Sequence, residues 1–102
     1  MTEAVSTRAD VWLWRARFFK SRSRAARFLD EGRVRLTREG LETRIDKCAR
    51  PVRIGDRLVF AMAGRLTAVE VLAMGERRGP PAEARTLYRA LEARDEAGTD
   101  AA

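Results

Sequence analysis

Histidine is absent from the 102 residues and cysteine occurs once, at Cys48. Without histidine the chain has neither the usual general base near neutral pH nor a Ser/His or Cys/His nucleophile pair, and with one cysteine it has no disulfide or His/Cys metal site. Glycines stand singly, at positions such as Gly32, Gly40, Gly55, Gly64, Gly75 and Gly79, where they read as turns and caps and not as a phosphate-cradling loop. No apolar run approaches the roughly 18 residues of a membrane span, and Met1 to Thr7 lacks the charged start and apolar stretch of a secretory signal. The acidic pairs Asp30-Glu31 and Asp95-Glu96 read as solvated charge at a helix end and in a tail. The expectation is therefore a cytoplasmic protein with no catalytic residue, metal or cofactor, in which Cys48 is a small, partly buried hydrophobe.

What the chain has instead is positive charge, and it is concentrated. Arg8 to Arg38 holds ten of the 21 basic residues against three acids, leaving eleven basic and twelve acidic residues elsewhere. A local excess of this kind steers a polyanion to one face and lets Lys/Arg displace its counterions, which points first to nucleic acid. A basic module lying on anionic membranes or joining a protein assembly is the alternative from another class. It ranks below, because these cations are spread over several segments and form a patch only after folding.

Length and a 45% apolar content fit one small domain. The pattern predicts a helix from Asp10, as N-cap, to about Phe19; it is apolar around most of its circumference, so Trp12, Trp14, Phe18 and Phe19 read as core before base stacking. Ser21 should cap a second helix from Arg22 to about Glu31, closed by Gly32, with Ala25, Ala26 and Leu29 on one face and Arg24, Arg27 and Glu31 on the other. Alternation then predicts strands at Arg33 to Thr37, with Val34 and Leu36 inward, and at Leu41 to Ile45, Pro51 to Ile54, Arg57 to Met62 and Leu66 to Met74. After Gly79-Pro80-Pro81 a late helix is expected from Ala82 to Arg94, with Leu87, Leu91 and Tyr88 docking it.

The ordered string Arg8-x-Asp10-x-x-Leu13, Lys20-Ser21-Arg22 with Ala25 and Leu29, Gly32-x-Val34 and Ile54-Gly55-Asp56-x-Leu58 resembles the S4-type RNA-binding domain. Glu76 to Ala84 with Leu87-Tyr88 is similar to the tail of one subgroup, the bacterial ribosome-associated heat-shock protein 15 family. The resemblance implies an α+β fold in which two N-terminal helices pack on a small antiparallel sheet, the alpha-L motif, with a C-terminal helix added. Its implied boundaries are a flexible N-terminus over 1–7, an S4-like RNA-binding domain over 8–75, a C-terminal extension with a helix over 76–94 and a disordered tail over 95–102.

In function the resemblance implies binding of structured ribosomal RNA on free large ribosomal subunits that hold a stalled nascent chain on tRNA, peptidyl-tRNA included, aiding their recycling. A generic S4-type binder of tRNA or small-subunit ribosomal RNA is the nearest alternative, and a monomer is expected. Carried over position by position, the RNA-facing residues are Arg8, Lys20, Ser21, Arg22, Arg33 and Arg35; the helix wheel adds Arg24 and Arg27. Where the family usually turns with Asn-Gly, this chain has Thr37-Arg38-Glu39-Gly40, read as a longer turn in which Arg38 supplies a replacement phosphate contact.

Overall fold

The computed structural model describes residues 5 to 91; the expected flexibility of Met1 to Ala4 and the expected disorder from Asp95 fall outside them. In chain order the elements are β1 (Ser6–Arg8), α1 (Ala9–Arg15), α2 (Arg22–Asp30), β2 (Val34–Arg38), β3 (Leu41–Ile45), β4 (Pro51–Arg53), β5 (Arg57–Met62), β6 (Arg65–Val71), α3 (Pro81–Ala84), a 3₁₀ turn (Arg85–Leu87) and β7 (Tyr88–Leu91). The α+β class holds. Five strands form an antiparallel sheet ordered β3-β2-β5-β6-β7, and β1 pairs with β4 beside it. Ser6 and Thr7, expected in a flexible lead, are thus backbone-paired to Arg53 and Val52.

Period-two alternation decides which sheet face is buried. Val34, Leu36, Ile45, Leu58, Phe60, Val69 and Val71 point inward and are buried, each removing apolar surface that is favourable by about 1.5–3 kcal/mol for a full-sized side chain. Both N-terminal helices lie on this face. Phe28 of α2 meets Phe60 edge-on at 6.1 Å, and Phe18, just after α1, does so at 5.5 Å. Trp12 and Leu13 are fully buried, and Phe18 and Phe19 pack partly buried against the same cluster, as an all-round apolar helix requires.

Helix α1 departs from its expected ends. Arg8 occupies the N-cap position and Asp10 sits inside the first turn, where its buried carboxylate accepts from Arg8 Nε (3.1 Å) and Nη2 (2.9 Å). An acid anywhere in that turn meets the positive end of the helix dipole, so the charge rule located the start correctly and the capping rule misplaced it. At the other end the helix stops at Arg15, not Phe19. Arg17 turns into the left-handed region (φ 68°), with its N–H on Trp14 O and that of Phe18 on Leu13 O, a Schellman closure in which Arg stands where Gly is usual.

Helix α2 follows its pattern closely. Ser21 is the N-cap and its hydroxyl accepts from Arg24 N–H at 3.1 Å; Gly32 (φ 73°) closes the far end with its N–H on Leu29 O. The turn after β2 is a correction. It has two residues, Glu39 (φ 53°) and Gly40 (φ 81°), between the paired Arg38 and Leu41, so it is no longer than Asn-Gly would make it. A glutamate at positive φ is strained where asparagine is tolerated. We expect Glu39→Asn to stabilise the fold by about 0.5–1 kcal/mol; urea denaturation showing no gain would count against the strained turn.

The late helix is the larger correction. Among the described residues Pro81–Ala84 is α-helical and Arg85–Leu87 a 3₁₀ turn, and from Tyr88 the chain is a strand along β6 in the register Val71↔Tyr88 to Ala68↔Leu91, with Arg89 ion-paired to Glu70; the end of the expected helix, 92–94, lies outside the described residues. Tyr88 directs its ring to Phe18 (centroids 4.8 Å apart) and Trp12 (6.5 Å), and Leu87 is buried. Open hydrogen-bonding groups along β6 and this aromatic contact outweigh the helix propensity of the segment.

Candidate nucleic-acid interface

Helix geometry places Arg24 and Arg27, three residues apart, on one exposed face of α2, opposite the buried Ala25, Phe28 and Leu29. Lys20 and Arg22 are exposed on either side of the Ser21 cap at the N-terminal end of the helix. At the other end Arg33 folds back over α2, its guanidinium carbon 4.3 Å from the centre of the Phe28 ring, and pairs loosely with Glu31 at 3.4 Å. Arg35 lies outward on β2 beside Arg44, its cross-strand partner, and meets Glu42 at 3.0 Å. The Arg44 side chain also runs across Gly32, where an added Cβ would come within 3.0 Å of its Cδ.

These contacts bring Arg33, Arg35 and Arg44 to the C-terminal end of α2, whose exposed side carries Arg24 and Arg27; with Lys20 and Arg22 at the N-terminal end, this set of cations is called the ridge. Lys20, Arg22, Arg24, Arg27 and Arg44 have no carboxylate partner among the described residues. The exposed pairs of Arg33 and Arg35 are worth only about 0–1 kcal/mol, so a phosphate can replace either carboxylate. Arg44 was missed. Outward alternation over Leu41 to Ile45 was its available signal, but the strand read as too weak to carry a site.

Three expected site residues have other attachments. Ser21 gives its hydroxyl to the cap, leaving backbone N–H groups to face a ligand. Arg8 is exposed but fixed to Asp10, next to Cys48, whose backbone N–H bonds to Asp30 Oδ1; this chain of contacts puts Arg8 near the C-terminal end of α2. Burial, then Asp10 and Asp30, push the Cys48 thiol up, in keeping with an inert partly buried side chain. Arg38 points to the inner side, and its Nε and Nη2 donate to the two oxygens of buried Asp56 at 2.9 and 2.8 Å. Those donors are occupied by protein.

Among the described residues there is no cluster of metal-ligating side chains and no helix long and apolar enough to cross a membrane.

Comparison with known proteins agrees with the fold. A family model for the S4 domain matches residues 7–36, from β1 through Leu36 in β2. Over 85 residues, 83% of this chain, the sequence is 33% identical to heat shock protein 15 of Escherichia coli and 29% identical to its homolog in Haemophilus influenzae. The chain spans about 60% of the length of these curated relatives. Among solved structures it is similar to heat shock protein 15 of Vibrio cholerae, described as a trimer, with a TM-score of 0.75 and 26% identity over 91% of this chain and 89% of that one. Fold, matched segment and relatives agree: residues 7–36 match the S4 domain, and the chain as a whole is similar to heat shock protein 15 in sequence and fold.

Proposed function

We propose that the ridge binds structured ribosomal RNA on free large ribosomal subunits that carry a nascent chain on tRNA, and that the protein aids their recycling. The observation that carries this reading is the run of cations without carboxylate partners along α2, continued by Arg33, Arg35 and Arg44. Guanidinium and ammonium groups at that spacing contact phosphates along a helical RNA and carry little base readout, so binding is by shape. Arg8 and the N-terminal N–H groups of α2 supply flanking contacts. Arg38 has a structural role. The protein acts by binding and performs no catalysis.

Cosedimentation of the purified protein with separated ribosomal particles tests the assignment, the expected result being recovery with free large subunits. Recovery with small subunits or free tRNA instead would favour the general S4-type reading. With about five phosphate contacts, log affinity should fall by several units per decade of salt; a nearly flat response would refute the phosphate ridge. The trimeric form of the Vibrio cholerae relative makes the oligomeric state, here expected to be a monomer, a quantity to read from the same preparation.

A further inference from the structure

A cleft of about 390 Å³ opens beside the C-terminal end of α1, lined by Ala16, Arg17, Phe18, Arg78, Arg85 and Tyr88 among others, with no acid in its walls. Its volume falls within the range of small-ligand sites. Two aromatic side chains, Phe18 and Tyr88, and three guanidinium groups line it. Arg17 uses Nε on Gly79 O (2.6 Å), and Arg78 uses Nε on Trp14 O and Nη2 on Phe19 O, so both are held in place with further N–H groups left over. Arg85 is exposed and its side chain has no partner among the described residues. Glu83, the acid closest in sequence to Arg85, is engaged by Arg77 at 2.7 Å. The cleft thus keeps its positive charge.

Aromatic side chains among guanidinium donors suit a nucleobase with its phosphate, and a base can reach such a cleft only when it is not stacked in a duplex. Position supports this class of ligand: Arg78 bonds to Phe19 O, one residue before Lys20, where the cation ridge begins. We infer that the cleft takes one unpaired nucleotide of the RNA held on the ridge, its base on Tyr88 and Phe18 and its phosphate on Arg85 and Arg17. This rests on the RNA-binding reading above and adds a structural feature that the RNA must have.

The test compares a fully paired RNA hairpin with the same hairpin carrying a single-nucleotide bulge. Tyr88→Leu and the exposed Arg85→Glu should each weaken the bulged RNA by at least about fivefold and leave the paired one unchanged; Arg85→Glu serves if Tyr88→Leu fails to fold. In addition, 4-thiouridine at the bulge should crosslink to residues 17–18 or 85–88. Equal losses on both RNAs, no loss on either, or crosslinks confined to α2 would overturn the cleft. Loss of subunit binding with both hairpins unaffected would also overturn it, since the occupant would then be a protein. If Arg24→Glu with Arg27→Glu leaves both RNAs bound while the bulge-specific effect persists, the ridge fails and the cleft stands.

Discussion

Asp56→Ala should lower the free energy of unfolding by about 3–5 kcal/mol, the cost of removing one partner from a buried ion pair. Asp56 is 2% exposed, and the Arg38 side chain facing it is 27% exposed. Besides the two bonds from Arg38, the carboxylate accepts from Arg53 N–H at 2.8 Å, so the truncation strands a guanidinium and an amide together. The main-chain bonds Asp56 N–H to Arg53 O and Val71 N–H to Asp56 O place the residue where β4, β5 and β6 meet. A domain of this size holds roughly 5–15 kcal/mol in all, and the change corresponds to a fall in Tm of roughly 12 °C or more. Arg35→Ala, which removes an exposed pair, is the control and should stay within about 1 kcal/mol. Equal effects from the two variants in thermal denaturation would show that the Arg38–Asp56 contact holds little together.

The second large effect is on binding. Reversing Arg24 and Arg27 to Glu leaves the buried face of α2 untouched, so the helical signal and the Tm should hold nearly constant. Each phosphate contact is worth about sixfold in affinity at 0.1 M salt, which follows from a slope of roughly 0.8 per contact, and reversal adds repulsion. Affinity for ribosomal RNA should therefore drop by about 40-fold or more, and the salt slope should shrink by about 1.4–1.8. Filter binding across a salt series measures both. Loss of affinity with an unchanged slope would mean that the two arginines act through the fold and not through phosphates.

Much of this molecule was legible before its coordinates, and the failures have specific causes. Strands with one buried face announce themselves by alternation, which is why Arg57–Met62 matches its expected limits. Ser21 and Gly32 delimit α2 by local chemistry alone. The segment after Pro81 failed because Ala, Glu, Leu and Arg favour a helix in isolation, while the vacancy beside β6 and the rings of Trp12 and Phe18 are visible only in three dimensions. Ser6–Arg8 was too short to show a period, and its partner β4 is more than forty residues away. On the candidate site, Arg38 was assigned by the sign of its charge, and nothing local reveals that Asp56 claims it.

Helix α1 is tied to the distal part of the chain at almost every turn. The Trp12 indole N–H donates to Ala73 O at 2.8 Å, Arg15 to Gly75 O at 2.9 Å and Arg17 to Gly79 O, while Arg78 reaches back to Trp14 O. Excised at residue 36 for grafting onto another carrier, the S4 stretch would lose the carbonyls that orient its own tryptophan and would not make a transplantable cassette. A fusion engineer must take the chain through Leu91 as a single indivisible part.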